Sequence, residues 1–354
     1  MKIAITADVH LRKGHPERYN ALEDIFKQTM AENIEHLIIA GDLFDHDLQN
    51  YSEFEALSKN YSGIQLHIIP GNHDLNISQK NIVGSNISIY TKPKDLLFGS
   101  ESDSTIFLFV PYKEGTKMGD QIAEMEQNIE GNKWVLISHS DYYGGLKEQN
   151  PLEPGTYMPL SRKDWERFRP STVLLGHIHK PYLPDESRNI YYVGSPCGLS
   201  INETGRRRFL VYETTDGSLT EKCVATDILY FNESFMIQPA ENEIEKLEDE
   251  ITNRIMSWQI DPADYSKVQI RVKATGCTTD KSSVLKTLEE KFEQFKYYKD
   301  EGPNIEELFV NTNLQLLTIS QRTMELIDQL EWSGQDEPTA EDIKRAALSV
   351  IYST

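Results

Sequence analysis

Ile3-Ala4-Ile5-Thr6-Ala7-Asp8-Val9-His10 opens with an apolar run that ends on a carboxylate and an imidazole two residues apart. The same pattern returns four times. Leu37 to Ala40 leads into Gly41-Asp42-Leu43-Phe44-Asp45, and Leu66 to Ile69 into Gly71-Asn72-His73-Asp74. Trp134 to Ile137 leads into Ser138-His139-Ser140, and Val173 to Leu175 into Gly176-His177-Ile178-His179. Short apolar runs bounded by turn residues read as buried strands. Five strand ends can therefore converge on one sheet edge, where open α/β architectures place their sites. The converging side chains are Asp, His, Asp, Asn, His, His and His, nitrogen and oxygen donors without a thiolate. Such a set suits manganese, iron or zinc acting on an oxygen substrate.

Taken singly, each motif is as readily a hydrogen-bonded turn as a ligand pair. Gly-His-Ile-His says more, because alternate residues of an extended segment face one side. The conjunction carries the argument: five of the nine histidines fall in these motifs, each at a strand end.

Composition sets the frame. A chain of 354 residues, 38% hydrophobic, with mean hydropathy −0.51, reads as globular and soluble with about two domains. The first apolar run meets Asp8 too soon for a signal peptide, and no run approaches transmembrane length. A cytoplasmic protein without a membrane partner is expected. Cys197, Cys223 and Cys277 are odd in number and far apart, which fits reduced thiols and neither a disulfide frame nor a ligand set. The net charge of −20 argues against a free-standing nucleic-acid binder. Residues 1–230 hold 23 Lys+Arg against 32 Asp+Glu, giving −9; residues 231–354 hold 13 against 24, giving −11. A DNA substrate would therefore need local basic strips or a partner to meet its phosphates.

Residues 1–230 alternate strand-like and helix-like segments with uneven spacing, which predicts a two-sheet α/β/β/α sandwich. Helices are expected over Glu17 to Glu32, Gln49 to Tyr61, Asp120 to Ile129 and Ser161 to Phe168, and later strands over Thr105 to Val110, Ile190 to Val193 and Arg207 to Glu213. Asn76 to Ser104 reads as one long, weakly patterned loop, functional or filler. Residues 231–317 read as a small α+β cap domain: helices over Glu241 to Ile255 and Ser282 to Lys296, strands over Val268 to Ala274 and Leu308 to Asn311. Residues 318–354 read as a helical tail, with a turn-rich linker Ser333 to Pro338 and a capping box from Thr339 to Asp342 before the last helix. Ile343, Ala347, Val350 and Ile351 of that helix could pack on the chain's own second domain or dock a partner.

Across residues 1–215 these motifs resemble the calcineurin-like metallophosphoesterases. The resemblance implies two divalent metal ions, manganese first, with iron, zinc or magnesium as alternatives. One ion would take Asp8, His10, Asp42 and His179; the other Asp42, Asn72, His139 and His177, with Asp42 bridging. His73 would act at the leaving oxygen, and Asp45 would pair with it and fix its tautomer; His46 is an alternative partner. Longer stretches point to one branch. Leu175 to Pro181, Tyr192-Val193-Gly194-Ser195-Pro196, Leu199 to Glu203 and Phe109-Val110-Pro111-Tyr112 look like the SbcD branch of DNA repair nucleases. Gly41 to Asp45 lacks the Arg-Gly that follows in phosphoprotein phosphatases. The branch implies a DNA exonuclease or endonuclease working with an SbcC-like coiled-coil ATPase subunit, and it allows a homodimer. Leu11-Arg12-Lys13 departs from the Leu-Gly common there. Arg12 and Lys13 are the first candidates for DNA contact; Lys2, Arg18 and Arg206 to Arg208 are others. A nucleotide or small-molecule phosphodiesterase, needing only residues 1–230, is the competing reading.

Overall fold

The computed structural model describes residues 1–46, 50–100, 103–144, 155–240, 242–311, 313–330 and 338–352. The described residues fall into two compact units: residues 1–198 with 206–227, and residues 199–205 with 228–354.

In the first unit the strands are β1 (Lys2–Thr6), β2 (His36–Ala40), β3 (Gln65–Ile69), β4 (Ile87–Ile89), β5 (Lys94–Phe98), β6 (Thr105–Val110) and β7 (Trp134–His139). They continue with β8 (Tyr142–Tyr143), β9 (Leu160–Ser161), β10 (Thr172–Gly176), β11 (Tyr182–Asp185), β12 (Ile190–Tyr192), β13 (Arg208–Glu213) and β14 (Leu219–Cys223). Two six-stranded sheets run in the orders β14-β13-β1-β2-β3-β4 and β11-β12-β10-β7-β6-β5, and β8 pairs with β9 as a small ribbon. Apart from β13, which runs antiparallel to β1, the inner strands of both sheets are parallel, and antiparallel pairings close three of the four edges.

Parallel strands are apolar throughout because both faces are covered. One face of each sheet meets the other sheet through Ile3, Ile5, Ile38, Phe107, Ile137 and Leu174. The outer face of the first sheet packs Ala4, Leu37 and Leu66 on Leu22, Ile25 and Phe26 of α1 (Pro16–Ala31). Pro16 occupies the start of that helix, where its missing N–H costs nothing. The outer face of the second sheet packs Leu136 and Val173 on Met118 and Ile122 of α3 (Met118–Ala123) and on Phe168 of α5 (Arg162–Phe168). The layers are therefore α/β/β/α. Helix α2 (Tyr51–Asn60) precedes α3 in the chain, and α4 (Glu126–Ile129) follows it.

Three readings need correction. Asn76 to Ser104 is not one loop, for it contains β4 and β5, two short edge strands whose partly exposed residues give little apolar signal. The helix over Asp120 to Ile129 is two short helices, α3 and α4, separated at Glu124 and Met125. β14, with its pattern of exposed and half-buried residues, and β15 (Leu229–Ile237) have no counterpart among the expected strands. Gln49 and residues 333–337 of the expected linker lie outside the described residues.

The second unit holds β15, α6 (Glu243–Ser257), β16 (Val268–Thr278), α7 (Lys281–Phe292), β17 (Lys296–Tyr297), β18 (Leu308–Val310), α8 (Leu314–Asp328) and α9 (Ala340–Tyr352). β15, β17 and β18 all pair in parallel with β16. Phe231, Phe235, Val268 and Ile270 pack on Leu247 and Ile251 of α6 and on Leu288 and Phe292 of α7. Met324, Ile327, Leu348 and Tyr352 of the last two helices cluster with Cys277 of β16, so α9 packs within its own unit. Thr339 and Asp342 form the capping box: Asp342 N donates to Thr339 Oγ1 at 3.2 Å, and Thr339 N to Asp342 Oδ2 at 3.0 Å.

Phe107 is fully buried between the sheets, its ring 5.1 Å from Phe98 and 5.3 Å from Tyr212. Phe107→Ala should cost about 3–5 kcal/mol of unfolding free energy in urea denaturation; a cost under about 1 kcal/mol would contradict the packing described.

Candidate metal centre

All five motifs stand at the carboxyl ends of β1, β2, β3, β7 and β10. The chain there adopts conformations that L-residues avoid. Asp8, His10, Asp42 and His177 have φ of 53°, 51°, 50° and 92°. Each left-handed residue costs on the order of 1–2 kcal/mol, and such strain persists only where the surroundings over-determine it. Here the two loops are laced together: Asp8 N donates to Gly41 O at 3.1 Å, His10 N to Asp42 O at 2.9 Å and Leu11 N to Leu43 O at 2.8 Å.

Two of the motif glycines leave room for ligands. A Cβ at Gly71 would stand 2.0 Å from Asp42 Oδ1, and one at Gly176 2.2 Å from Ala40 O. Both approaches exclude any side chain.

The seven side chains meet in two overlapping groups. Ligand atoms of Asp8, His10 and His179 lie within 4.8 Å of one another, with His10 Nε2 3.1 Å from His179 Nε2. Asn72 Oδ1 lies 2.8 Å from His139 Nε2 and 3.2 Å from His177 Nδ1. Asp42 stands between the groups, its Oδ2 3.2 Å from His139 Nε2 and 3.6 Å from His10 Nε2. Its Oδ1 accepts the His73 main-chain N–H at 3.0 Å.

This donor set fits cations. Asp8 Oδ1 accepts His177 N at 2.9 Å, but Asp8 Oδ2 is buried with no hydrogen-bond partner. A buried carboxylate oxygen left so is costly unless a positive charge meets it. His139 Nδ1 lies 3.2 Å from Ala40 O, an atom that can only accept. The ring therefore carries a proton on Nδ1 and presents Nε2 to Asp42 and Asn72.

Burial raises the Asp8 carboxyl above its ordinary range. Burial would do the same to Asp42, but His139, His10 and His73 outweigh it and hold that carboxyl well below the usual carboxylate range. Burial would lower His139; the charges of Asp42 and Asp8 outweigh it and push the imidazole up to about 10.

His73 is half-buried beside the two groups, and its Nδ1 lies 3.1 Å from the main-chain carbonyl of Asp45. The Asp45 carboxylate spreads over several partners: His10 Nδ1 at 3.5 Å, Arg12 Nη1 at 3.1 Å and Arg18 Nη1 at 3.4 Å. Despite burial, which would raise it, His10, Arg18 and the adjacent His46 hold Asp45 low in the carboxylate range. His46 is exposed, with Nε2 3.4 Å from Asp45 Oδ2. Arg12 and Lys13 are exposed on the loop after His10.

Arg18 and Arg207 do not offer free charge to a phosphate. Arg18 is buried and donates to the His10 carbonyl at 2.6 Å. Arg207 is buried and donates to the Ser195 carbonyl at 3.0 Å and to the His179 carbonyl. Their charge braces the main chain at His10 and His179, which spacing alone could not reveal.

Sequence reasoning also gave no role to Asp74, which is fully buried. Its Oδ1 accepts Gly71 N at 2.7 Å and its Oδ2 accepts Phe44 N at 3.1 Å, tying the loops after β2 and β3 together. Burial and the Asp42 charge push its pKa up to about 7. The last residue of Gly-Asn-His-Asp could equally have been a ligand; only its backbone partners distinguish a brace.

The chain belongs to the calcineurin-like phosphoesterase family, which matches residues 1–181 and uses a dinuclear metal site. Among named proteins it is similar to the DNA double-strand break repair protein Mre11 of Methanopyrus kandleri, 24% identical over 333 residues, covering 79% of this chain and 70% of that one. It is similar also to the SbcD component of the nuclease SbcCD of Escherichia coli K12, 23% identical over 257 residues (59% and 64% covered). Exonuclease subunit 1 of Enterobacteria phage T4 is 23% identical over 241 residues (60% and 65% covered). The chain thus spans just under two thirds of the length of the last two.

If His139 is to ligate a metal its imidazole must be neutral, yet Asp42 and Asp8 push it up to about 10. Metal binding at pH 7 should therefore release about one proton per chain, and affinity should rise about tenfold per pH unit. Calorimetric manganese titrations in buffers of different ionisation heat will show this; buffer-independent heats would contradict it.

Proposed function

We propose that the chain is a metal-dependent DNA nuclease that hydrolyses phosphodiesters with two ions, manganese first among them. We propose further that it acts as the SbcD-like subunit of an ATP-driven end-processing complex. One observation carries the chemistry: Asp42 Oδ2 faces both His139 Nε2, at 3.2 Å, and His10 Nε2, at 3.6 Å. A single carboxylate facing both groups of donors supports a shared ligand. The similarity to three DNA-processing or nuclease proteins supports the choice of DNA over a free nucleotide.

In this reading Asp8, His10, Asp42 and His179 hold one ion, and Asp42, Asn72, His139 and His177 the other. When bound, the ions supply Lewis acidity to the phosphate and acidify a water. The chain's own residues do the rest. Asp42 keeps its charge because its histidine neighbours outweigh the burial penalty. The carbonyl of Asp45 fixes one proton of His73 on Nδ1, 3.1 Å away. Nε2 is then the atom that carries a second proton and gives it to the leaving oxygen, as a general acid does. Arg12 and Lys13, next to His10, would meet flanking phosphates. The net charge of −20 leaves most of the duplex backbone for an SbcC-like ATPase subunit to contact.

A supercoiled-plasmid nicking assay beside a chromogenic phosphodiester, with and without manganese, tests the proposal. DNA cleavage that needs metal is expected, while turnover of the small diester with intact plasmid would favour a nucleotide-type phosphodiesterase. His73→Ser should keep metal and DNA binding but lose about 100-fold or more in cleavage. Loss of metal from that variant would make His73 a ligand instead. Asp42→Ala should lose most metal and activity together.

A further inference from the structure

The three ring protons that tune this centre do not all have an assigned holder. Ala40 O lies 3.2 Å from His139 Nδ1 and Asp45 O lies 3.1 Å from His73 Nδ1, so both rings are oriented from the main chain. His177 differs. Its Nδ1 faces the Asn72 carbonyl oxygen at 3.2 Å, on the ligand side. Its Nε2 faces backward, 3.5 Å from Asp141 Oδ1.

Asp141 is well placed to hold that ring. It is only 2% exposed and cannot swing away, because Tyr157 N donates to its Oδ2 at 2.8 Å. Its main chain is fixed on both sides: Asp141 N donates to Tyr157 O, and Leu160 N to Asp141 O, each at 2.9 Å. The Tyr157 ring packs on the His177 ring, 4.4 Å between centroids, and limits its rotation. On the opposite half of the centre the Asp45 carboxylate stands behind His10 in a parallel way, 3.5 Å from Nδ1.

We propose that Asp141 is the positioning residue of the His139/His177 half-site. When a divalent cation displaces the Asn72 contact at Nδ1, Asp141 takes the proton-bearing Nε2 and so holds the tautomer that ligates. A carboxylate behind a ligating imidazole fixes both tautomer and ring orientation and raises ligand basicity. The inference rests on the dinuclear reading above and adds a determinant of one ion's affinity that no motif displays. Asp141 does not touch substrate; it acts through His177.

The chemistry singles out one substitution. In Asp141→Asn the amide oxygen must stay on the Tyr157 N–H, which can only donate. The amide NH2 then faces His177 Nε2, which has to accept. The ring proton moves to Nδ1 and blocks the ligand atom, with almost no change in volume.

Two measurements on the full chain test this. Calorimetric manganese titration should show two ions in the wild type; in Asp141→Asn one site should be unchanged and the other weakened about 10–100-fold. Nitrogen-15 imidazole spectra of the zinc-saturated protein, assigned with His177→Gln, should show Nδ1 on the metal and the His177 proton on Nε2 in the wild type, and a proton on Nδ1 in the variant. Wild-type affinity for both ions in a folded Asp141→Asn, or a wild-type proton on Nδ1, overturns the proposal. The wild-type spectrum decides even if the variant does not fold. Should the wild type take up fewer than two ions, the dinuclear reading itself fails, whatever Asp141 does.

Discussion

Asp42 is an ionised carboxylate with 1% of its surface exposed, at the point where two sheets meet. Burying such a charge costs several kcal/mol unless opposite charge and hydrogen bonds surround it. The rest of the centre follows from that requirement. His139 and His10 face its Oδ2, and the His73 main chain donates to its Oδ1. The left-handed turns at Asp8, His10, Asp42 and His177 aim the side chains inward at the price of backbone strain. Strain of this kind collects where function over-determines conformation. Two mixed sheets, parallel at their centres and packed through Ile5, Ile38, Phe107 and Ile137, give the strained loops a rigid base.

Much of this was legible in the chain itself. The five apolar runs ending on Asp, Asn or His identified β1, β2, β3, β7 and β10, because strands buried on both faces are apolar throughout. Their common setting brought the seven donors together, and the structure places them at one end of the two sheets. What stayed hidden had no strong local signature. β4, β5 and β14 are edge strands with partly exposed residues, so they carry neither a continuous apolar run nor clean alternation. Arg18 and Arg207 look like surface cations until their carbonyl partners are seen. Asp74 accepts from two backbone donors, Gly71 and Phe44, and Asp141 from Tyr157, partners that folding brings together. No periodicity encodes that.

The second unit poses a different physical problem. Its charge is strongly negative, −11 over residues 231–354, yet its described strands and helices bury ordinary apolar cores. Tyr352 and Leu348 of α9 sit in one of those cores, whereas Val350 is 72% exposed on the same helix. The helix is therefore held by its own unit, and a partner would meet only its outer side. No helix among the described residues is long and apolar enough to cross a membrane.

The central claim is that one carboxylate, Asp42, joins two cations. Electron paramagnetic resonance of the protein saturated with manganese tests it most directly. Two ions sharing a carboxylate at about 3.5–4 Å are exchange-coupled. The account predicts a coupled spectrum at two ions per chain, lost in Asp42→Ala. A spectrum of isolated manganese at saturation, or a coupled pair that survives Asp42→Ala, would contradict it.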